Sequence, residues 1–295
     1  MENKAADFVS VTEKKNAEDS PLFSIITPVF NSIKFLEICI QSVLNQTYPR
    51  IEHIFVDGGS TDGNLDILAS YAAKYPGRIR YISEHDSGAV DATNKGLAMA
   101  KGDIFGLLGS DDTLEPGAIQ TVMEFFKTNP DAYFVYGDCN IMNSNGEIIG
   151  KSLATDFDFN KSVNNMRDWS ISGITSFYRR QVIETVGLFD TKLLASDFDY
   201  WLRTGEKFRL YRIEKTLANQ RVHPGSLTGA KGAYKRTVRD FFIISRRHGG
   251  SLFSPCAREY YRSVTIDSLR SVMIESLRPM LGRFYPFMKR LSGKA

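Results

Sequence analysis

The sequence predicts an α/β fold built on a mostly parallel central sheet flanked by helices, with a helical C-terminal extension. Three observations carry that prediction. From Phe23 onward, short β-rich runs alternate with helix-period segments, joined by connections of the length that βαβ units use. Three of the β-rich runs end in polar, acid-containing loops, at residues 27–31, 57–62 and 110–112. A parallel sheet gathers such loops on one edge, the edge that binds ligands. After about residue 150 the alternation is lost, which predicts a second, mixed half.

The elements follow in order. Residues 23–29, Phe-Ser-Ile-Ile-Thr-Pro-Val, are mainly apolar and β-rich and read as a buried strand. Asn31 or Ser32 is placed to cap the next helix, whose Ile33, Leu36, Ile40, Val43 and Leu44 recur at helical spacing. Residues 51–57 read as a second strand, and Gly58-Gly59-Ser60-Thr61-Asp62-Gly63 leads into a helix carrying Leu65, Leu68 and Tyr71. A third strand is expected over 78–83, a helix over 89–100 and a fourth strand over 103–108, which runs into Asp111 and Asp112. Leu114-Glu115-Pro116-Gly117 reads as the entry to a helix over about 117–127, and 132–139 as a fifth strand. Asn143-Ser144-Asn145-Gly146 has hairpin-turn chemistry. Beyond it, 173–178 suggests a strand, 198–205 a helix and 208–222 a mainly extended segment. The expected divisions are a flexible segment over 1–20, a domain over 21–230 whose two halves meet near residue 140, and an extension over 231–295.

At 42% hydrophobic and 24% charged residues the composition is that of an ordinary globular protein. The net charge of +3 suggests no polyanionic partner, so nucleic acid is not expected. The charge is uneven: residues 235–295 carry a net +9 and the remainder a net −6. From Ile266 the residues Leu269, Met273, Leu277, Met280, Phe284, Phe287 and Leu291 step by three or four between basic residues, with Pro279 and Pro286 interrupting the stripe. Such a stripe packs on the protein's own body or on a second subunit, as in a homodimer, or lies on an anionic membrane surface. No run approaches the ~18 apolar residues of a spanning helix. Cys39, Cys139 and Cys256 lie far apart, which argues against a disulfide framework, and residues 1–20 lack an apolar signal core. The expected location is cytoplasmic, extending through the tail to a peripheral position at the inner face of the plasma membrane.

Two adjacent carboxylates at a strand end are hard oxygen donors suited to holding Mn²⁺ or Mg²⁺ against a phosphate. An acidic pair equally opens a turn or caps a helix, so Asp111 and Asp112 alone decide nothing. The loop after the second strand points the same way. Glycines beside Asp57 let backbone approach a flat group while the carboxylate accepts hydrogen bonds from it. No Gly-Lys-Ser/Thr follows, and no GxGxxG follows the first strand, so neither a P-loop nor a dinucleotide fingerprint is present.

Four motifs in order, Thr27-Pro28-Val29-Phe30-Asn31, Val56-Asp57-Gly58-Gly59-Ser60-Thr61-Asp62-Gly63, Asn94-Lys95-Gly96-Leu97-Ala98-Met99-Ala100-Lys101-Gly102-Asp103 and Leu107-Leu108-Gly109-Ser110-Asp111-Asp112, resemble the family 2 glycosyltransferases over about residues 23–229. These are inverting, nucleotide-sugar-dependent enzymes of the GT-A fold, including bacterial surface-polysaccharide enzymes. The resemblance implies that Thr27, Pro28 and Asn31 border the nucleotide and that Asp57 contacts its base, with Gly59, Asp86, Lys95, Ser110 and Asp112 around it. It implies a divalent metal (Mn²⁺ or Mg²⁺) on Asp111 and Asp112, with His223 of the Arg221-Val222-His223-Pro224-Gly225 loop brought to the metal or diphosphate. Ser196-Asp197-Phe198-Asp199 resembles the family's base motif, with Asp197 as general base and Asp199 as its alternative. Trp169, Thr175 and Asp199 fall where relatives line the donor-sugar and acceptor pocket. Two departures stand out. Gly109 replaces the usual first acid of the metal motif, and Thr93 stands where many members have an arginine, for which Lys95 or a residue of the basic tail is the substitute. The implied activity is transfer of a sugar, from a UDP-sugar above all, to a glycan or lipid-linked glycan hydroxyl. The alternatives are a non-catalytic sugar-nucleotide or glycan-binding module and a nucleotidyltransferase.

Overall fold

A computed structural model of the chain describes residues 20–165, 171–226 and 233–264. These belong to two compact units, one of residues 1–159 and 169–229 and the other of 160–168 and 230–295. In the first unit β1 (Phe23–Val29), α1 (Ile33–Leu44), β2 (Ile51–Asp57), α2 (Asn64–Lys74), β3 (Ile79–Ser83), α3 (Ala89–Met99) and β4 (Ile104–Leu107) alternate as the sequence pattern predicts. Next come β5 (Thr113–Leu114), α4 (Ala118–Thr128), β6 (Phe134–Met142), β7 (Ile148–Ser152), α5 (Phe159–Asn164, assigned to the second unit from Asn160 on), β8 (Ser176–Arg179), α6 (Arg180–Val186), α7 (Ser196–Gly205) and β9 (Leu210–Arg221). The nine strands form one sheet in the order β3-β2-β1-β4-β8-β6-β9-β5, with β7 paired to β6. Strands β1 to β4 are mutually parallel. Beyond β4 the sheet is mixed: β8 is antiparallel to both β4 and β6, whereas β6 and β9 are parallel.

Burial explains the N-terminal strands. Every residue of β2 is buried, and α1 and α4 cover the sheet through Leu36, Ile40, Val43, Ile119, Val122 and Phe126. Gly96 lets α3 approach closely, since a Cβ there would lie 2.4 Å from Ile26. A buried charge, Glu52, sits at the amino end of the sheet and is fully engaged. It pairs with Arg80 at 2.8 Å, and its Oε1 accepts hydrogen bonds from Ser24 Oγ and the Lys101 amide. Satisfied in this way, a buried carboxylate is tolerated where an unpaired one would be strongly destabilising.

The structure corrects four local readings. Neither Asn31 nor Ser32 caps α1 with its side chain; the carboxylate of Asp62, from the loop after β2, accepts the Ile33 amide at 2.8 Å. Asn31 instead adopts a left-handed φ of 46° and accepts the Thr61 amide. Residues 113–114, for which no strand was predicted, form a short one antiparallel to β9, after which Gly117 (φ 75°) caps the expected helix at Ala118. β6 runs to Met142, three residues past the expected end, because the 143–146 turn makes β6 and β7 a hairpin. Finally, α5 and α6 are helices where none was predicted, α6 in the second half of the first unit and α5 almost wholly in the second unit.

In the second unit α8 (Ala233–Arg247) and α9 (255–264) bury Val238, Phe241, Ile244, Cys256 and Ala257, and Phe242 stacks on Tyr260 at 4.3 Å. The readings of residues 1–19 and of the basic stripe from 266 to 295 lie outside the described residues. No described helix is long and apolar enough to cross a membrane.

Candidate active site

Because β1, β2 and β4 are parallel neighbours, their C-terminal loops share one sheet edge, and hydrogen bonds stitch the first two together. The Asn31 amide donates to Ser60 Oγ at 2.8 Å, the Thr61 amide to Asn31 Oδ1, and the Ile33 amide to Asp62. Asp57 lies beneath this seam. Its Oδ2 accepts hydrogen bonds from the Gly59 and Ser60 amides and from Ser83 Oγ, while buried Oδ1 has no hydrogen-bond partner among the described residues. Gly59 reaches its place through a φ of 90°, which glycine adopts without strain. Burial pushes the Asp57 carboxyl up, but the hydrogen bonds from Ser60, Ser83 and Gly59 outweigh it and hold the group below its ordinary value. It is therefore an ionised acceptor with one oxygen in reserve. Asp86 covers Gly58 from the next loop, its carboxylate lying where a Cβ on Gly58 would be. Phe30, which the sequence did not single out for a role, is 65% exposed on this loop.

Asp111 and Asp112 follow β4. Asp112 is buried; its Oδ1 accepts the Arg221 amide at 2.7 Å, and burial together with the neighbouring Asp111 raises its carboxyl pKa. Arg221 is the central clasp of this corner. Its Nε donates to Asp111 O, its Nη1 to Asn143 O, and its guanidinium lies 4.6 Å from the centre of the Phe35 ring. His223, two residues on, is 2.9 Å from Asp111 Oδ2 through Nε2. The Gly225 amide donates to Nδ1, so the neutral ring carries its proton on Nε2 and gives it to Asp111. In this arrangement His223 Nε2 is directed at the Asp111 carboxylate.

Glycine at 109 has a steric reason. A Cβ there would lie 2.5 Å from Asp112 Oδ2 and 2.9 Å from Asp111 Oδ1. The carboxylate oxygens that His223 and Arg221 do not engage therefore converge on the space beside Gly109. Two hard oxygens facing one small space suit a divalent cation, so these residues fit the metal that the motif implies. Among the described residues no cluster of three or more His, Cys, Asp and Glu groups is positioned to hold a metal. A bound ion would take its other donors from the substrate and water.

The second half supplies Asp197, in the first turn of α7. Its Oδ1 accepts the Phe198 amide at 2.8 Å, and its Oδ2 faces Gly173, 3.6 Å from where a Cβ would stand. Burial raises its pKa. Asp199 is committed elsewhere: it is 2% exposed and pairs with Arg203 at 2.7 Å. Other candidates are engaged within the sheet and its helices. Thr27 is fully buried with its hydroxyl 2.9 Å from His53 Nε2, and Thr175 is fully buried and donates to Gly137 O. Pro28 lies within β1, and Ser110 is partly buried between β4 and the two acids. The Lys95 ammonium is held by Glu84 at 2.8 Å and by His85 O, and Thr93 donates to Ala89 O within its own helix. Trp169 lies outside the described residues.

The fold and the edge of acidic loops are those of a GT-A glycosyltransferase. The family model described as Glycosyl transferase family 2 matches residues 24–187, and the chain belongs to that family. Chondroitin synthase of Escherichia coli is 29% identical over 76% of this chain and 32% of its own length. Hyaluronan synthase of Pasteurella multocida is 27% identical over 77% of this chain and 23% of its own. The chain thus spans about a third or less of these synthases. A PGL/p-HBAD biosynthesis glycosyltransferase of Mycobacterium tuberculosis is 33% identical over 62% of this chain and 70% of its own length. Among solved structures, S. aureus TarS 1–349 in complex with UDP-GlcNAc aligns with a TM-score of 0.57 at 19% identity, covering 76% of this chain and 66% of that one. Mannosyltransferase PcManGT from Pyrobaculum calidifontis, in complex with GDP-Man and Mn²⁺, aligns with a TM-score of 0.61 at 16% identity, covering 94% and 86%. These likenesses place its fold.

Proposed function

We propose that this chain is an inverting glycosyltransferase that moves a sugar from a nucleoside-diphosphate sugar, a UDP-sugar first among the candidates, to a hydroxyl of a glycan or lipid-linked glycan. The observation that carries this reading is the convergence of Asp111 Oδ1 and Asp112 Oδ2 on the space beside Gly109, on the edge that also holds the unused oxygen of Asp57. Asp57 Oδ1 accepts an N–H of the base, and exposed Phe30 offers a flat face beside it. Asp111 and Asp112 would hold Mn²⁺ or Mg²⁺, which would supply positive charge to stabilise the diphosphate leaving group. Asp197 accepts the proton of the acceptor hydroxyl as that oxygen attacks the anomeric carbon on the face opposite the diphosphate. An elevated carboxyl pKa suits that task, because the base then draws on its proton more strongly near neutrality. Its negative charge also favours an oxocarbenium-like transition state.

The test is transfer or hydrolysis of a panel of UDP- and GDP-sugars with added Mn²⁺. Asp111→Ala and Asp197→Ala are each expected to abolish turnover, while Asp197→Ala still binds UDP. Nucleotide binding without turnover of any donor by the unmodified chain would overturn the reading. For the tail, flotation with anionic liposomes is expected to show binding that is lost when residues 266–295 are removed. Binding that survives the deletion excludes the tail as anchor.

A further inference from the structure

The base-bearing helix is held in place from the nucleotide half of the same unit. Asn94, on α3, makes a two-way contact with the backbone of Phe189: its Nδ2 donates to Phe189 O at 2.9 Å and its Oδ1 accepts the Phe189 amide at 3.1 Å. Phe189 is buried, and its ring stacks on Tyr200 of α7 with centroids 4.1 Å apart and planes 14° from parallel. Arg203 of α7 reaches back to the same segment, donating to Val186 O and Leu188 O while pairing with Asp199. Its guanidinium also covers Tyr200 at 5.1 Å. The α6–α7 connection is thus gripped by Asn94 on one side and by α7 on the other. The gripping helix is itself fixed, because Gly96 seats α3 tightly against Ile26 of β1.

We infer that Asn94 is a positioning residue for the reaction: through Phe189 and Tyr200 it sets where the first turn of α7, and so Asp197, stands relative to the nucleotide edge. This inference rests on Asp197 being the base. A side-chain amide is suited to the task because it donates and accepts at once, matching one residue's C=O and N–H as a β-strand would. Aspartate at 94 matches the shape but sets a second oxygen against Phe189 O, and alanine removes both bonds. Misplacement of a reacting group by about 1 Å costs roughly a hundredfold in rate, which gives this linkage a measurable effect.

The experiment compares Asn94→Asp, Asn94→Ala and Asp197→Asn with the unmodified chain in steady-state transfer, with UDP-induced thermal stabilisation measured in parallel. The expected result is kcat lower by roughly 10- to 100-fold in both Asn94 variants, with donor KM and the UDP shift within about twofold. Should those variants fail to fold, Phe189→Leu keeps the backbone pairing, removes the ring stack and is expected to show the same split. An inactive Asp197→Asn beside Asn94 variants, or a Phe189→Leu variant, of unchanged kcat overturns this inference alone. A KM that rises in proportion to the fall in kcat does so too, because it marks lost donor binding. An active Asp197→Asn overturns the assignment of the base, and this inference with it.

Discussion

Asp112 is held by the backbone of Arg221: the amide of one meets the carboxylate of the other at 2.7 Å, across 109 residues of sequence. The Arg221 side chain meanwhile ties Asp111 O to Asn143 O, so one residue fixes both acids and the tip of the β6–β7 hairpin. Arg221→Lys keeps the charge and the amide but loses the fork geometry and the flat stack on Phe35. The expected cost is about 2–3 kcal/mol in denaturant unfolding, in line with buried charge-assisted hydrogen bonds. Stability equal to the unmodified chain would show that the side chain is not a clasp.

Gly109→Ala tests the space between the acids directly. The added methyl would sit within 2.9 Å of both carboxylates and must push them apart. Half-maximal activity is expected to require roughly tenfold more Mn²⁺, with little change in metal-free thermal stability. An unchanged Mn²⁺ titration places the cation elsewhere.

His223 separates an orienting role from a ligating one. Gln at 223 can still donate to Asp111 but is a poor metal ligand, so His223→Gln is expected to keep Mn²⁺ affinity within about threefold. Loss of roughly 10- to 100-fold is expected for His223→Ala, the range seen when an outer partner of a ligand is removed. If Gln is as damaging as Ala, the imidazole itself binds the ion.

Asp57→Asn replaces an acceptor by an amide that turns either an N–H₂ group or its oxygen toward the Gly59 and Ser60 amides, never two acceptors at once. Thermal stabilisation by UDP is expected to be lost, while the protein without nucleotide keeps its fold. Undiminished UDP stabilisation would remove Asp57 from the nucleotide site.

His53 predicts acid sensitivity. Burial, reinforced by Arg78, pushes its pKa down to about 3. Between that value and about 6.5 the unfolded chain binds a proton that the folded chain does not, so stability is fully present above pH 6.5 and falls as the pH drops. The slope is about 1.4 kcal/mol per pH unit from this group alone. His53→Gln is expected to flatten the decline between pH 6.5 and 4.5 in chemical denaturation. An identical slope would assign the acid sensitivity to other groups.

The strand-end loops were legible because periodicity and acid placement are local properties: residues 51–57 are strand β2 as expected, and Asp57 and Asp111 fall on the predicted edge. What the pattern could not convey is direction and distance. Thr27 lies in a strand buried on both faces, where alternation gives no hint of which side a hydroxyl takes, and it faces His53. Asp197 and Asp199 are two apart on a helix and so point to different sides; only Arg203 and Gly173 reveal which is inward. The cap on Ile33 comes from Asp62, 29 residues away, where no short-range rule looks. Arg221, one basic residue among many in the sequence, announces itself only through the carbonyls it reaches.

The buried Glu52 cluster has a consequence for how this scaffold can change over time. Its anchors, Ser24, Arg80 and the Lys101 amide, tie β1, β2, β3 and the turn before β4 together at the end of the sheet remote from the acids. This end of the sheet is thereby held by a buried polar cluster independent of the acidic loops. The loops of the opposite rim are tied by their own bonds, through Arg221 and the Asn31–Ser60 seam, so a change in one of them need not disturb the packed sheet behind it.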